Sequence, residues 1–227
     1  MGVIKKILFR WKKAIDVGSI MRLSTTSTSA TWTPSNIVNN GSTLTWVATG
    51  GVTETIVADE PIFNLSTNTG TVDFEVYDVS NLINFTHVQQ QLSSLDVTEC
   101  LALETLAPFS LGLLSLDVTN NTSLLTFLCN GNNLTSINTN NNTLLTIFDC
   151  DNNTLTSIDI SNNTLLTRLR CYNNNFSSTV TNSILASLVS HGLSNGELRY
   201  RNNETGQGIT DRATLISRGW TITNYPT

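Results

Sequence analysis

Leucine returns through the middle of the chain at alternating intervals of 11 and 10 residues. From Leu92, Leu113, Leu134 and Leu155 the pattern is L-x-x-L-x-V-x-x-N. From Leu103, Leu124, Leu145 and Leu166 it is L-x-x-F-x-C-x-x-N, and a degenerate copy starts at Leu82 with Phe85, His87 and Gln90. Two halves make a period of 21 residues. That is too short for a helical-hairpin repeat, which needs about 33 residues, and suits a coil with short strands. The third and fifth residues after each leucine alternate with polar ones, as strand positions sharing a face must. One inward side is predicted to hold Leu95/Val97, Leu116/Val118, Ile137/Thr139 and Ile158/Ile160. The other holds Phe127/Cys129, Phe148/Cys150 and Leu169/Cys171. No coil buries its apolar side alone, so neighbours must stack about 4.8 Å apart into one continuous core.

Asparagine marks the corners. It fills sixteen of residues 120–175, clustering at Asn121, Asn132, Asn142, Asn153, Asn163 and Asn174. Asn tolerates left-handed backbone and bonds its own main chain, so a tight corner recurring in every coil is predicted there. The in-phase leucines separate this tract from low-complexity disorder.

The run L-x-x-L-x-C-x-x-N-x-L-x-x-I, as from Leu145 to Ile158 with Phe148 in the second place, resembles leucine-rich repeats of the short bacterial type. "SLDVTNNTSL" and "SIDISNNTLL" resemble repeats abundant in Bacteroidetes and their phages. The resemblance covers residues 82–176. It implies a solenoid whose concave sheet carries the second half-repeat, and a general binding scaffold without a specified ligand.

The flanks differ in pattern. "TLTWVAT", "TETIVA", "PIFNL" and "TVDFEVYDV" alternate at period two between Gly and Asn turns, which predicts a β unit over 31–81. In "NSILASLVSHGL", Ile184, Leu185, Leu188 and Val189 are spaced for a helix stopping at Gly192. "GELRYRNN" places Leu198 and Tyr200 inward, with Glu197, Arg199 and Arg201 outward. Thr210 is a candidate N-cap for a second helix running to Gly219, and "WTITN" reads as a last strand. "LISRGWTIT" resembles the closing segment of flavobacterial phage and prophage leucine-rich proteins. The expected fold is a β-rich solenoid, a leucine-rich repeat of 21-residue period. It has an N-terminal β cap, a C-terminal α/β cap (177–227) and an N-terminal basic amphipathic helix (1–22) followed by a linker (23–30).

Charge sharpens this division. Residues 23–167 hold thirteen acids and no base, whereas six of the twelve basic residues fall within 1–22 and six within 168–218. In the first block, Ile4, Ile7, Leu8, Trp11 and Ile15 recur at helical spacing among Lys5, Lys6, Arg10, Lys12 and Lys13. That is a basic amphipathic anchor, expected to dock to a protein partner in preference to a membrane. It lacks the uninterrupted apolar core of a signal peptide. No nucleic-acid partner is expected, nor any cofactor.

Catalytic chemistry finds little support. The chain has two histidines and no H-E-x-x-H, phosphate-cradling glycine loop or G-x-S-x-G. His87 and His191 are expected to be structural. Cys129, Cys150 and Cys171 form one column whose parallel side chains suit apolar filling better than disulfides or zinc. Cys100 is expected at a corner, and free thiols suggest assembly in a reducing cytoplasm. Asp96, Asp117 and Asp159 share an outward column with Asn138, read as a solvated acidic face. The informative surface is the outward side of the second half-repeat: Thr126, Leu128 and Asn130, then Ile147, Asp149 and Asp151, then Arg168, Arg170 and Tyr172. With Arg199 and Arg201, the last three make a candidate binding patch for an anionic glycan or an acidic protein surface. Balance of these arginines by Asp149, Asp151 and Glu197 is the simpler role. The combined pattern leads us to expect a non-enzymatic virion component of a Bacteroidetes phage. It would be a baseplate, tail or spike protein for host attachment, in a multi-chain assembly held through its N-terminus. A bacterial leucine-rich adhesin is the alternative.

Overall fold

The computed structural model describes residues 20–25, 35–39, 45–50, 54–57, 72–77, 82–88, 92–201 and 203–225. The anchor residues from Ile4 to Ile15 lie outside them. The body is a β-rich, solenoid-like stack built on one long sheet. Its seven parallel strands are β6 (Leu82–Val88), β8 (Thr105–Phe109), β9 (Thr126–Leu128), β10 (Ile147–Asp149), β11 (Arg168–Arg170), β12 (Glu197–Arg201) and β13 (Thr221–Tyr225), adjacent in chain order. β2 (Ser35–Asn39) joins β6 antiparallel at the near edge. A second, antiparallel sheet runs in the order β4 (Glu54–Val57), β3 (Thr45–Gly50), β5 (Val72–Tyr77), β1 (Ile20–Thr25), β7 (Ser94–Asp96). β1 thus crosses the boundary between anchor and linker drawn at residue 22, because "IMRLST" pairs with β5 on one side and β7 on the other.

In-register pairing puts the large apolar residues in one file. Phe85, Leu106, Phe127, Phe148, Leu169, Leu198 and Ile222 follow each other across the sheet. The rings of Phe127 and Phe148 stack with centroids 5.5 Å apart and planes 5° apart. Beside them, Cys129, Cys150 and Cys171 are buried. The ladder continues past the strand ends there, with Cys129 N donating to Asp149 O, Cys150 N to Arg170 O and Cys171 N to Arg199 O, each at 2.8 Å.

The opposite wall holds the predicted apolar columns, and Val97, Val118, Thr139 and Ile160 are buried. It is not a continuous sheet, however: among the described residues only β7 is a strand on that side. Asparagine side chains replace the ladder. Asn121 Nδ2 donates to Val97 O and Cys100 O; Asn142 Nδ2 to Val118 O and Asn121 O; Asn163 Nδ2 to Thr139 O and Asn142 O, at 2.8 to 3.0 Å. Each amide therefore ties one coil to the preceding one. Thr139 stands where other coils have valine or isoleucine, and its hydroxyl donates to Asn163 Oδ1 at 3.2 Å. That bond satisfies a hydroxyl that would otherwise be buried without a partner.

The second corner differs. Asn132, Asn153 and Asn174 donate to carbonyls and also accept: Leu113 N, Leu134 N and Leu155 N each donate to the Oδ1 of one of them at 3.0 Å. These buried corner residues are not the left-handed ones. Positive φ falls one residue earlier, at Ser110 (60°), Gly131 (72°), Asn152 (54°) and Asn173 (51°). The corner asparagines are hydrogen-bonding ties between coils, and a separate column turns the chain.

Beyond β11 come α1 (Ser178–His191), β12, α2 (Gln207–Ser217) and β13. The two helices are the crossovers that parallel neighbours require. Ser177 caps α1, its hydroxyl accepting from Val180 N, and Gly192 ends it in the left-handed region. Ile184, Leu185 and Leu188 are buried against the core. α2 begins at Gln207 after Gly206, three residues before the predicted cap at Thr210. Asp211 is buried there and accepts from Gln207 Nε2, which draws the first turn earlier than the apolar spacing indicates. Trp220 closes this region, its indole N–H donating to Leu193 O at 3.0 Å.

Candidate functional site

Strand pleating turns the residues between the core positions outward, and parallel register lines them up. Thr126, Ile147, Arg168 and Glu197 form one row; Leu128, Asp149, Arg170 and Arg199 form the next. Burial follows the pleat: in β12, Leu198 and Tyr200 are buried and Glu197, Arg199 and Arg201 half-buried. The four arginines assigned from the sequence to one face are therefore on it.

Three of them sit in a continuous ion-pair chain. Arg168 grips Asp149 with both tines, Nε to Oδ1 at 3.1 Å and Nη2 to Oδ2 at 2.5 Å. Arg170 Nη1 lies 3.6 Å from the same carboxylate. Its other side reaches Glu197, Nε to Oε1 at 3.0 Å and Nη2 to Oε2 at 3.3 Å. Arg199 Nε lies 2.7 Å from Glu197 Oε1. Arg201 stands at the strand end and makes no ion pair among the described residues. Asp149 is the hinge of the network, with its side chain only 6% exposed between two guanidinium groups.

Electrostatics follow this geometry. The hydrogen bond from Arg168 to Asp149 raises the guanidinium pKa further. Burial opposes ionisation of Glu197, but Arg170 and Arg199 hold its carboxyl below the usual range. Asp151 behaves differently. Burial is the main cause pushing its carboxyl up, a hydrogen bond with Tyr172 pulls it down, and the charge of Asp149 pushes it up again; the net shift is upward.

The face is hollowed. A depression of about 330 Å³ is lined by Asp149, Arg168, Arg170 and Arg199 of this network together with Phe109, Leu128, Asn130, Asp151 and Tyr172. A second, of about 440 Å³, continues beyond Arg199 over Thr167, Gly196, Thr221 and Thr223. Phe109, Thr221 and Thr223 were not singled out from the sequence. Thr221 and Thr223 register with Glu197 and Arg199, so the outward parity of β12 was the signal that would have found them.

The other candidates resolve into structural roles. Asp96, Asp117 and Asp159 turn back on their own chain, accepting from Thr98 N, Thr119 N and Ser161 N at 2.9 to 3.0 Å. The hydroxyl of Thr119 and its N–H lower the Asp117 carboxyl. Among the described residues no group of three His, Cys, Asp or Glu is placed to hold a metal ion. Burial pushes the thiols of Cys129, Cys150 and Cys171 far up, and that of Cys100 to about 12. Protonated thiols of this kind are poor nucleophiles. Cys100 occupies the Asn121–Asn142–Asn163 column one coil earlier. Burial is the main cause lowering the His191 pKa, and the neighbouring backbone of Ser161 and Ile160 offsets part of it. The backbone of His87 pairs with Pro108 in the sheet; its side chain lies outside the described residues.

No family model matches the chain, and no curated protein matches it. Among solved structures, the chain is similar to the functional domain of InlJ from Listeria monocytogenes, which includes a cysteine ladder. The two are 26% identical with a TM-score of 0.49, and the match covers 64% of this chain. It spans 30% of the InlJ chain, less than a third of that structure's length.

Proposed function

We propose that the chain is a non-enzymatic interaction module of the leucine-rich type that binds a partner on the open face of its parallel sheet. The observation that carries this reading is the hollow over β8 to β13. Its polar side chains are held in place by the Asp149–Arg168–Arg170–Glu197–Arg199 network on rigid strands. Groups fixed before binding lose little freedom when a ligand arrives, which favours recognition. The residues around them lack a nucleophile paired with a base, so binding is the chemistry they support.

The finer reading is a virion attachment protein of a Bacteroidetes phage. Its support is the resemblance of "SLDVTNNTSL", "SIDISNNTLL" and "LISRGWTIT" to phage sequences and the segregated basic block at residues 1–22. In that reading the basic segment holds other virion proteins, the antiparallel sheet and the α1–β12–α2–β13 segment close the two ends of the stack, and assembly precedes release from the host cytoplasm. Deletion of residues 1–19, which stops short of β1, tests it. Particles are expected to lack the truncated chain, while the truncated chain still binds host cells. Truncated chain found on particles at wild-type copy number would refute the anchor. An adhesin acting alone would keep cell binding and never appear on particles at all.

A further inference from the structure

We propose that the groove over β8 to β13 takes a neutral oligosaccharide, not an anion. The inference rests on the reading of this face as the binding surface and names its ligand class.

Among the residues lining the two hollows, Arg168, Arg170 and Arg199 face Asp149, Asp151 and Glu197, three cations against three carboxylates; Arg201, at the end of β12, lies outside both linings. An anionic ligand in the groove would meet no net positive charge from its walls. It would also have to displace carboxylates that already hold the guanidinium groups in two-point contacts. Three arginines of the cluster, offered from the sequence as an anion site or as charge balance, are neutralised by their own sheet.

Sugar hydroxyls donate and accept at once, so their sites need both kinds of group within reach. Arg168 commits Nε and Nη2 to Asp149, leaving three of its five N–H groups outside that contact. The Asn130 amide offers both functions, and Thr221 and Thr223 add hydroxyls in the adjoining hollow. Tyr172 and Phe109 supply aromatic surface for the C–H face of a pyranose ring.

The two hollows meet at Arg199 and run across six strands from β8 to β13. At a spacing of about 4.8 Å that is roughly 24 Å, the reach of a short linear chain of sugars. Strands of three residues make the face narrow, which suits a linear ligand better than the broad patch of a folded protein.

The test uses the full chain in titration calorimetry. Neutral probes are hexasaccharides of β-1,4-glucose, α-1,4-glucose and α-1,6-mannose. Anionic probes are a heparin hexasaccharide, oligosialic acid and a poly-glutamate peptide. At least one neutral hexasaccharide is expected to bind saturably, with affinity nearly unchanged between low and high salt, since no ion pair is formed. Tyr172→Ala should weaken it about tenfold, the equivalent of one lost hydrogen bond or ring contact. Tyr172→Phe, which keeps the ring, should bind almost as well. Both variants are checked for an unchanged melting curve. Binding confined to the anionic probes, or to none, overturns the proposal. Host-cell binding separates the two levels. If Tyr172→Ala abolishes it and neutral sugars do not compete, the ligand class is wrong and the face keeps its role. If Tyr172→Ala leaves cell binding intact, both fall.

Discussion

The two asparagine columns make different hydrogen bonds, so the same substitution should cost different amounts in each. Asn142 Nδ2 donates to Val118 O at 2.9 Å and Asn121 O at 2.8 Å. Both carbonyls keep a backbone partner without it, from Asn121 N and Leu124 N. Its Oδ1 is buried with no hydrogen-bond partner. Asn142→Leu therefore loses two bonds of about 1 kcal/mol each and removes one unsatisfied acceptor, for a net cost near 1 kcal/mol. Asn153 donates to Cys129 O and Cys150 O, and its Oδ1 also accepts from Leu134 N at 3.0 Å. Asn153→Leu leaves that buried N–H without a partner, adding about 1–3 kcal/mol, for a total of roughly 3–5 kcal/mol. One coil shows how such an N–H is otherwise satisfied. Leucine already holds this column at Leu111, and Leu92 N donates to the Leu111 carbonyl at 3.1 Å. The next residue is Gly112 at φ 82°, a conformation that a β-branched residue such as Thr154 resists. Adding Thr154→Gly to Asn153→Leu should thus recover part of the loss, seen as a coupling of about 1 kcal/mol in a double-mutant cycle. Urea unfolding with a constant slope gives all four values. Equal costs at Asn142 and Asn153, or additivity of Asn153→Leu with Thr154→Gly, would falsify the assignment of distinct roles to the two columns.

Two further outcomes follow from the same corners and from the groove. Gly131→Ala should destabilise by about 1–2 kcal/mol, because φ is 72° and the new methyl would stand 2.7 Å from Ser110 Oγ; Gly131→Asn, matching Asn152 and Asn173, should cost less, and a fully tolerated alanine by thermal unfolding would count against a strained turn. Asp151 has a raised folded pKa, so its ionisation costs the fold stability as pH rises from its ordinary value near 3.8 through the raised one. Asp151→Asn should then be more stable than wild type at pH 7, with the gap closing below pH 3.8; a gap of the same size at both pH values in urea titrations would show that the shift is absent.

The inward columns were readable because period-two alternation survives in every coil: Phe127, Phe148 and Leu169 fall where spacing alone places them. Two things were not. The first was the wall at Val118 and Thr139. Its apolar alternation looks like a strand, but alternation reports which side chains face the core. It does not report what satisfies the backbone, and here asparagine amides take the carbonyls that a neighbouring strand would take. The second was the geometry by which Asp149 and Glu197, named from the sequence as balancing acids, hold the arginines. Sequence puts Arg168 and Asp149 on one face, whereas the bidentate contact depends on a diagonal between adjacent strands that only the register fixes.

Both omissions have the same origin. A repeat sequence shows what each coil does for itself, and the decisive bonds here run between coils. The early places of the two corner columns bear this out. Cys100 and Leu111 stand where Asn121 and Asn132 stand one coil later. The asparagine ties reach backward, from Asn121 to Val97 and Cys100 and from Asn132 to Pro108. At the start of the stack the first coil's strand edges meet antiparallel partners instead, β6 with β2 and β7 with β1. An amide column is useful only where a preceding coil presents carbonyls in register. The switch from Cys100 and Leu111 to asparagine therefore marks, in the sequence itself, the point where coil-on-coil stacking takes over from strand pairing.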